Sequence, residues 1–81
     1  MHWFLITYDR AARRLVSIVE YAEGSDEAAI EAWVQRFRTK PAQVDLEVIG
    51  AHSIKGVQMG YPRFFMGHPE GEPLPLSFAR A

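Results

Sequence analysis

Residues 2–8, His-Trp-Phe-Leu-Ile-Thr-Tyr, are apolar at nearly every position, and in a strand that loads both faces. Alternate side chains point to opposite sides, so Phe4, Ile6 and Tyr8 share one face while Trp3 and Leu5 share the other. Residues 9–13 form a polar, small-residue connection of hairpin length, with Asp9 suited to the first turn position. Residues 14–21 are rich in β-branched side chains and predict a second strand. Simple alternation puts Val16 and Ile18 on one face and Leu15, Val19 and Tyr21 on the other. Both strands of this hairpin therefore carry apolar groups on both sides.

After the break at Glu23-Gly24-Ser25 the period changes from two to 3.6. Ile30, Trp33, Val34 and Phe37 fall at i, i+3, i+4 and i+7, predicting one apolar stripe on a helix, extended by Ala29. Ser25 suits the N-cap, and Asp26 and Glu27 complement the positive end of the helix dipole. Arg36, Arg38 and Lys40 gather at its negative end, and Pro41 stops the helix by disfavouring the α conformation at Lys40.

Residues 44–50 alternate again, with Val44, Leu46 and Val48 inward and Asp45 and Glu47 outward, predicting a third strand with one wet face. Ser53 can cap a short helix running to about Met59, which Gly56 and Gly60 weaken and Tyr61-Pro62 ends. The run Arg63-Phe64-Phe65-Met66 is too apolar to lie free in water. From Gly67 to residue 81 the chain holds Gly67, Gly71, Pro69, Pro73 and Pro75, the composition of an irregular or disordered tail.

The expected fold is α+β in the order ββαβα. It consists of a single domain over residues 1–66 and the tail over 67–81, with a small three-stranded, mainly antiparallel sheet covered on one face by one long and one short helix. Two strand orders fit. In 1-2-3 the third strand pairs with the second in parallel, whereas in 2-1-3 it pairs with the first and the sheet is all antiparallel. The second is expected, because a strand apolar on both sides belongs at the centre.

Phe4-Leu5-Ile6-Thr7-Tyr8-Asp9-Arg10, the aromatic-bearing helix, Leu46-Glu47-Val48-Ile49-Gly50-Ala51 with a following Ser, and Arg63-Phe64-Phe65 together resemble a pattern in short bacterial single-domain proteins of unknown function. The resemblance spans roughly residues 3–65. It implies the ββαβα order and no activity.

Composition narrows the chemistry. The 81 residues are 48% hydrophobic and 23% charged with a net charge of −1, giving no global pull toward nucleic acid or anionic lipid. Without cysteine there is no disulfide framework and no thiolate chemistry. The N-terminal apolar run leads straight into Asp9-Arg10, unlike a signal peptide, and no window approaches the roughly 20 apolar residues of a membrane span. A cytoplasmic protein is expected.

No catalytic pattern stands out. His2, His52 and His68 fall on a strand start, a helix entry and the tail, without metal-ligand spacing. Ser25 and Ser53 are explained as helix caps, and no Gly-x-Ser-x-Gly is present. Asp45 and Glu47 share one side of a strand about 7 Å apart by strand rise, which a solvated face explains. Gly56-x-x-x-Gly60 lacks the Lys-Ser/Thr ending of a phosphate loop. No enzyme, cofactor or metal is expected.

The two-sided hairpin is then the leading clue. A helix covering one face leaves an apolar patch that monomers rarely expose. Its cover is the 63–66 run folding back, a second copy, or another protein. The expectation is a non-catalytic protein-interaction or scaffolding module, self-associating as a homodimer through Trp3, Leu5, Leu15, Val19, Tyr21, Phe64 and Phe65. The alternative is a nucleic-acid-binding module using Arg10, Arg13, Arg14 and Arg63 beside the aromatic groups Tyr61, Phe64 and Phe65.

Overall fold

The computed structural model describes residues 1–80. Strands β1 (His2–Asp9) and β2 (Arg14–Tyr21) form the hairpin, helix α1 (Asp26–Thr39) crosses over, and β3 (Val44–Ala51) follows. A short helix α2 (Ile54–Gly60), a 3-10 turn (Pro62–Phe64) and a three-residue strand β4 (Leu76–Phe78) complete the chain. The architecture is α+β with a mixed sheet in the order β3-β1-β2-β4. β1 pairs antiparallel with both β2 and β3, so the doubly apolar strand lies inside the sheet. The fourth strand, absent from the expected three, comes from the Pro-containing segment. It pairs parallel to β2, with the Ile18 amide donating to the Pro75 carbonyl at 2.9 Å and the Ala79 amide to the Glu20 carbonyl at 2.8 Å. Proline flanks this short edge strand and does not enter it, as its missing donor requires.

The helices do not share a face, contrary to the single-sided cover expected from the sequence. Phe4, Ile6, Leu15, Ile18 and Ile49 pack under Val57 of α2 and Phe64 of the 3-10 turn, joined by Tyr8, Phe65, Leu74 and Leu76. On the opposite side Leu5 and Tyr21 pack under Ala29 of α1, with Trp3, Val19, Ala32, Trp33 and Val48 around them. Sequence alternation misassigned Leu15. The register slips between Thr7 and Tyr8, pairing Thr7 with Ser17 but Tyr8 with Leu15, so Val16 is the extra residue of a bulge. A bulge shifts the parity of the bulged strand, which turns Leu15 onto the face of Ile18 and leaves Val16 exposed.

Helix α1 is turned by about one position, roughly 100°, from the stripe of its largest side chains. Ala29 is its one fully buried residue, with Ala32 and Trp33 beside it at i+3 and i+4. Small side chains let the helix backbone approach the sheet closely. Ile30 and Phe37 stay 53% and 48% exposed on one flank. Ser25 and Ser53 stand at the two N-cap positions, but neither hydroxyl caps its helix. Lys40, before Pro41, ends α1 in the extended conformation that proline imposes on the preceding residue.

The hairpin turn is held by Asp9, whose carboxylate accepts from the amides of Ala11 at 2.9 Å and Ala12 at 3.1 Å. Arg13 closes it at φ +53°, in the left-handed region. Gly67 passes so close that a Cβ there would lie 2.5 Å from the Arg13 carbonyl oxygen, which fixes glycine at that contact. Two stability changes follow, both readable by urea denaturation. Arg13→Gly relieves about 1–2 kcal/mol of left-handed strain against about 0.5–1 kcal/mol of added chain entropy, a net gain of about 0.5 kcal/mol. Phe64→Ala, at a fully buried ring, costs about 3–5 kcal/mol, a large share of what a domain this small possesses.

Candidate functional site

The sheet has one long open edge, on β3. Backbone N–H and C=O groups of one residue in an antiparallel strand point to the same side, alternating along the chain. The Arg10 amide donates to the Gln43 carbonyl at 2.8 Å, so Gln43, Asp45, Glu47 and Ile49 address β1. Val44, Leu46, Val48 and Gly50 therefore present their backbone groups outward. Two of these outward groups have partners within the chain. The Val44 amide bonds the Pro41 carbonyl at 3.1 Å, and the Leu46 carbonyl accepts from the Trp33 indole N–H at 3.0 Å. Trp33 thus reaches from α1 to the rim of the sheet and ties the helix there.

That anchor positions an apolar flank next to the edge. Trp33 stacks on Phe37 with ring centroids 4.8 Å apart, and the Lys40 ammonium lies 5.2 Å from the Phe37 centroid. Ile30 and Trp33 on α1 border a shallow recess of about 260 Å³ whose other wall is Val48 and Glu47 of β3. The recess and the outward backbone groups of β3 form one continuous surface. Val16, Met59, Met66 and Phe78 are exposed too, but on separate elements.

The interface residues expected from the sequence are distributed differently. Trp3, Leu5, Val19 and Tyr21 lie under α1, while Leu15, Phe64 and Phe65 lie on the opposite face. Leu5, Leu15, Tyr21 and Phe64 are buried within the chain. The 63–66 run folds back through Phe64 and Phe65 and covers the Phe4 face, while α1 covers the Trp3 face. What the sequence missed is the Ile30–Phe37 flank, which its stripe assigned to the core. The small residues Ala29 and Ala32, at the same spacing and one position earlier, were the available signal.

The arginines singled out for nucleic acid are mostly engaged by carboxylates. Arg10 binds Asp45, and Arg63 lies 3.5 Å from Asp45 and 3.7 Å from Glu47 while its guanidinium stacks 4.1 Å from the Phe64 centroid. Arg14 pairs with Glu72 at 3.7 Å, and Arg13 shapes the turn. Asp45 and Glu47 are thus joined by Arg63 at the edge of the sheet.

The histidines are dispersed. His2 Nδ1 lies 2.6 Å from Glu20, and His68 Nε2 lies 2.9 Å from the Glu72 carbonyl. Among the described residues no group of three or more His, Asp or Glu side chains is placed to hold a metal ion, and no helix is long and apolar enough to cross a membrane. The Met1 ammonium, hydrogen-bonded to Glu23, holds that carboxyl below its ordinary range. A further open cleft lies between the C-terminal end of α1 and the sheet, lined by Thr7, Ser17, Arg36, Lys40 and Leu46.

Comparison with protein-family models, with curated proteins and with solved structures finds no significant match.

Trp33→Phe removes the hydrogen bond to Leu46 and part of the ring. It is expected to lower unfolding free energy by about 1–2 kcal/mol in chemical denaturation.

Proposed function

We propose that this chain is a small protein-interaction module that acts by association rather than catalysis, and that it self-associates through the outer flank of α1 beside the β3 edge. The observation carrying this reading is the half-exposed Ile30–Phe37 flank, set continuous with the outward backbone groups of β3. Apolar side chains at helical spacing on a solvent-facing flank are the usual signature of a helix awaiting a partner. With both sheet faces covered from within, this rim is where the domain still offers organised apolar surface. The ion pairs of Arg10, Arg14 and Arg63 with Asp45, Glu47 and Glu72 offset part of their positive charge, which favours protein recognition over phosphate recognition.

Sedimentation velocity at about 100 µM, suited to the micromolar dissociation constants of modest interfaces, is expected to report a two-chain mass. Ile30→Glu combined with Phe37→Glu is expected to return it to one chain without changing the far-ultraviolet circular dichroism, because both side chains are half exposed. A wild-type chain that stays monomeric at that concentration overturns the reading.

A further inference from the structure

We infer that the occupant of this rim is the β3 strand of a second copy, paired antiparallel about a two-fold axis at Val48, so that the two sheets become one. This rests on the self-association just proposed and specifies how it is made. The outward groups set the possible pairings. A two-fold axis requires the paired β3 strands to run antiparallel, and the residues that exchange hydrogen bonds must come from Val44, Leu46, Val48 and Gly50.

Charge then selects the register. An axis at Leu46 sets Asp45 opposite Glu47 of the other copy, and an axis at Glu47 sets that carboxylate opposite itself. Like charges directly opposed across a strand pair are unfavourable. An axis at Val48 places Glu47 opposite Ile49 and Asp45 opposite Ala51, while Val48 meets Val48 and Leu46 meets Gly50. Moving the axis further along shortens the overlap. The Val48 register gives the longest pairing in which no carboxylate meets another. The Leu46 carbonyl accommodates it, because its second lone pair can accept a Gly50 amide while the first keeps the Trp33 indole.

The helix agrees with the strand. α1 carries Asp26 and Glu27 in its first turn and Arg36 and Arg38 in its last. The two-fold that pairs β3 with β3 also sets the α1 helices side by side and antiparallel. The acidic end of each then approaches the basic end of the other, with Ile30, Trp33 and Phe37 closing the seam between. A different partner would need its own complement to this charge gradient. A second copy carries one already.

Amide hydrogen exchange read by NMR at two concentrations tests this. At about 500 µM the amides of Leu46, Val48 and Gly50 should exchange at least tenfold more slowly than at about 5 µM, while Glu47 and Ile49, bonded to β1, stay protected at both. Val48→Pro removes an outward amide at an edge position that tolerates proline, and should weaken association at least tenfold with the circular dichroism unchanged. A dimer whose Leu46, Val48 and Gly50 amides remain unprotected, and which Val48→Pro leaves intact, overturns strand pairing while self-association stands. A chain monomeric at both concentrations overturns both.

Discussion

The fold is governed by the requirement that β1 be covered twice. A strand with Phe4 and Ile6 on one side and Leu5 and Trp3 on the other cannot end at a water boundary on either face, since each buried aliphatic or aromatic side chain contributes about 1.5–3 kcal/mol only once it leaves water. It must be flanked by strands laterally and by layers above and below. The chain meets the lateral demand with β2 and β3 and the vertical demand with two unlike covers. One is the regular helix α1. The other is assembled from α2, the 3-10 turn and the segment leading into β4.

The two covers differ in what they leave over. The irregular one brings large side chains down individually, with Val57 and Phe64 each fully buried, and leaves Met59 and Met66 exposed singly on different segments. The helical one approaches through Ala29 and Ala32, which leaves its bulky residues to the side. An α-helix turns about 100° per residue, so when the residues it sets on the sheet are small the neighbouring large ones lie at its margin. The margin of α1 happens to overhang the strand with no outer neighbour. From that coincidence of helix orientation and sheet order comes the surface proposed to hold a partner.

Much of the architecture was legible because it depends on local chemistry. The hairpin follows from β-branched runs flanking Asp9, α1 from its period and its terminal charges, and β3 from the alternation around Asp45 and Glu47. What escaped depends on tertiary context. The bulge that turns Leu15 over leaves no mark in a stretch apolar on both sides, because either parity looks plausible. β4 is three residues directly after Pro75, too short for any period, and it forms by pairing on the open edge of β2. The i, i+3, i+4, i+7 spacing pointed to Ile30 and Phe37 as core, whereas the helix packs through Ala29 and Ala32. Sequence pattern therefore pointed to the sheet faces, which the chain covers itself, and passed over the half-exposed flank of α1.

The separation of the two covers along the chain has a consequence for how the protein emerges from a ribosome. The Leu5 face can close as soon as α1 and β3 have followed the hairpin, since every residue in that cluster except Ala79 precedes residue 50. The Phe4 face must wait for Val57, Phe64, Leu74 and Leu76. For the interval between, the nascent domain is a finished layer on one side and a bare apolar sheet on the other. It is then, before the late segment arrives, that the growing chain is most exposed to wrong partners and to the chaperones that shield against them.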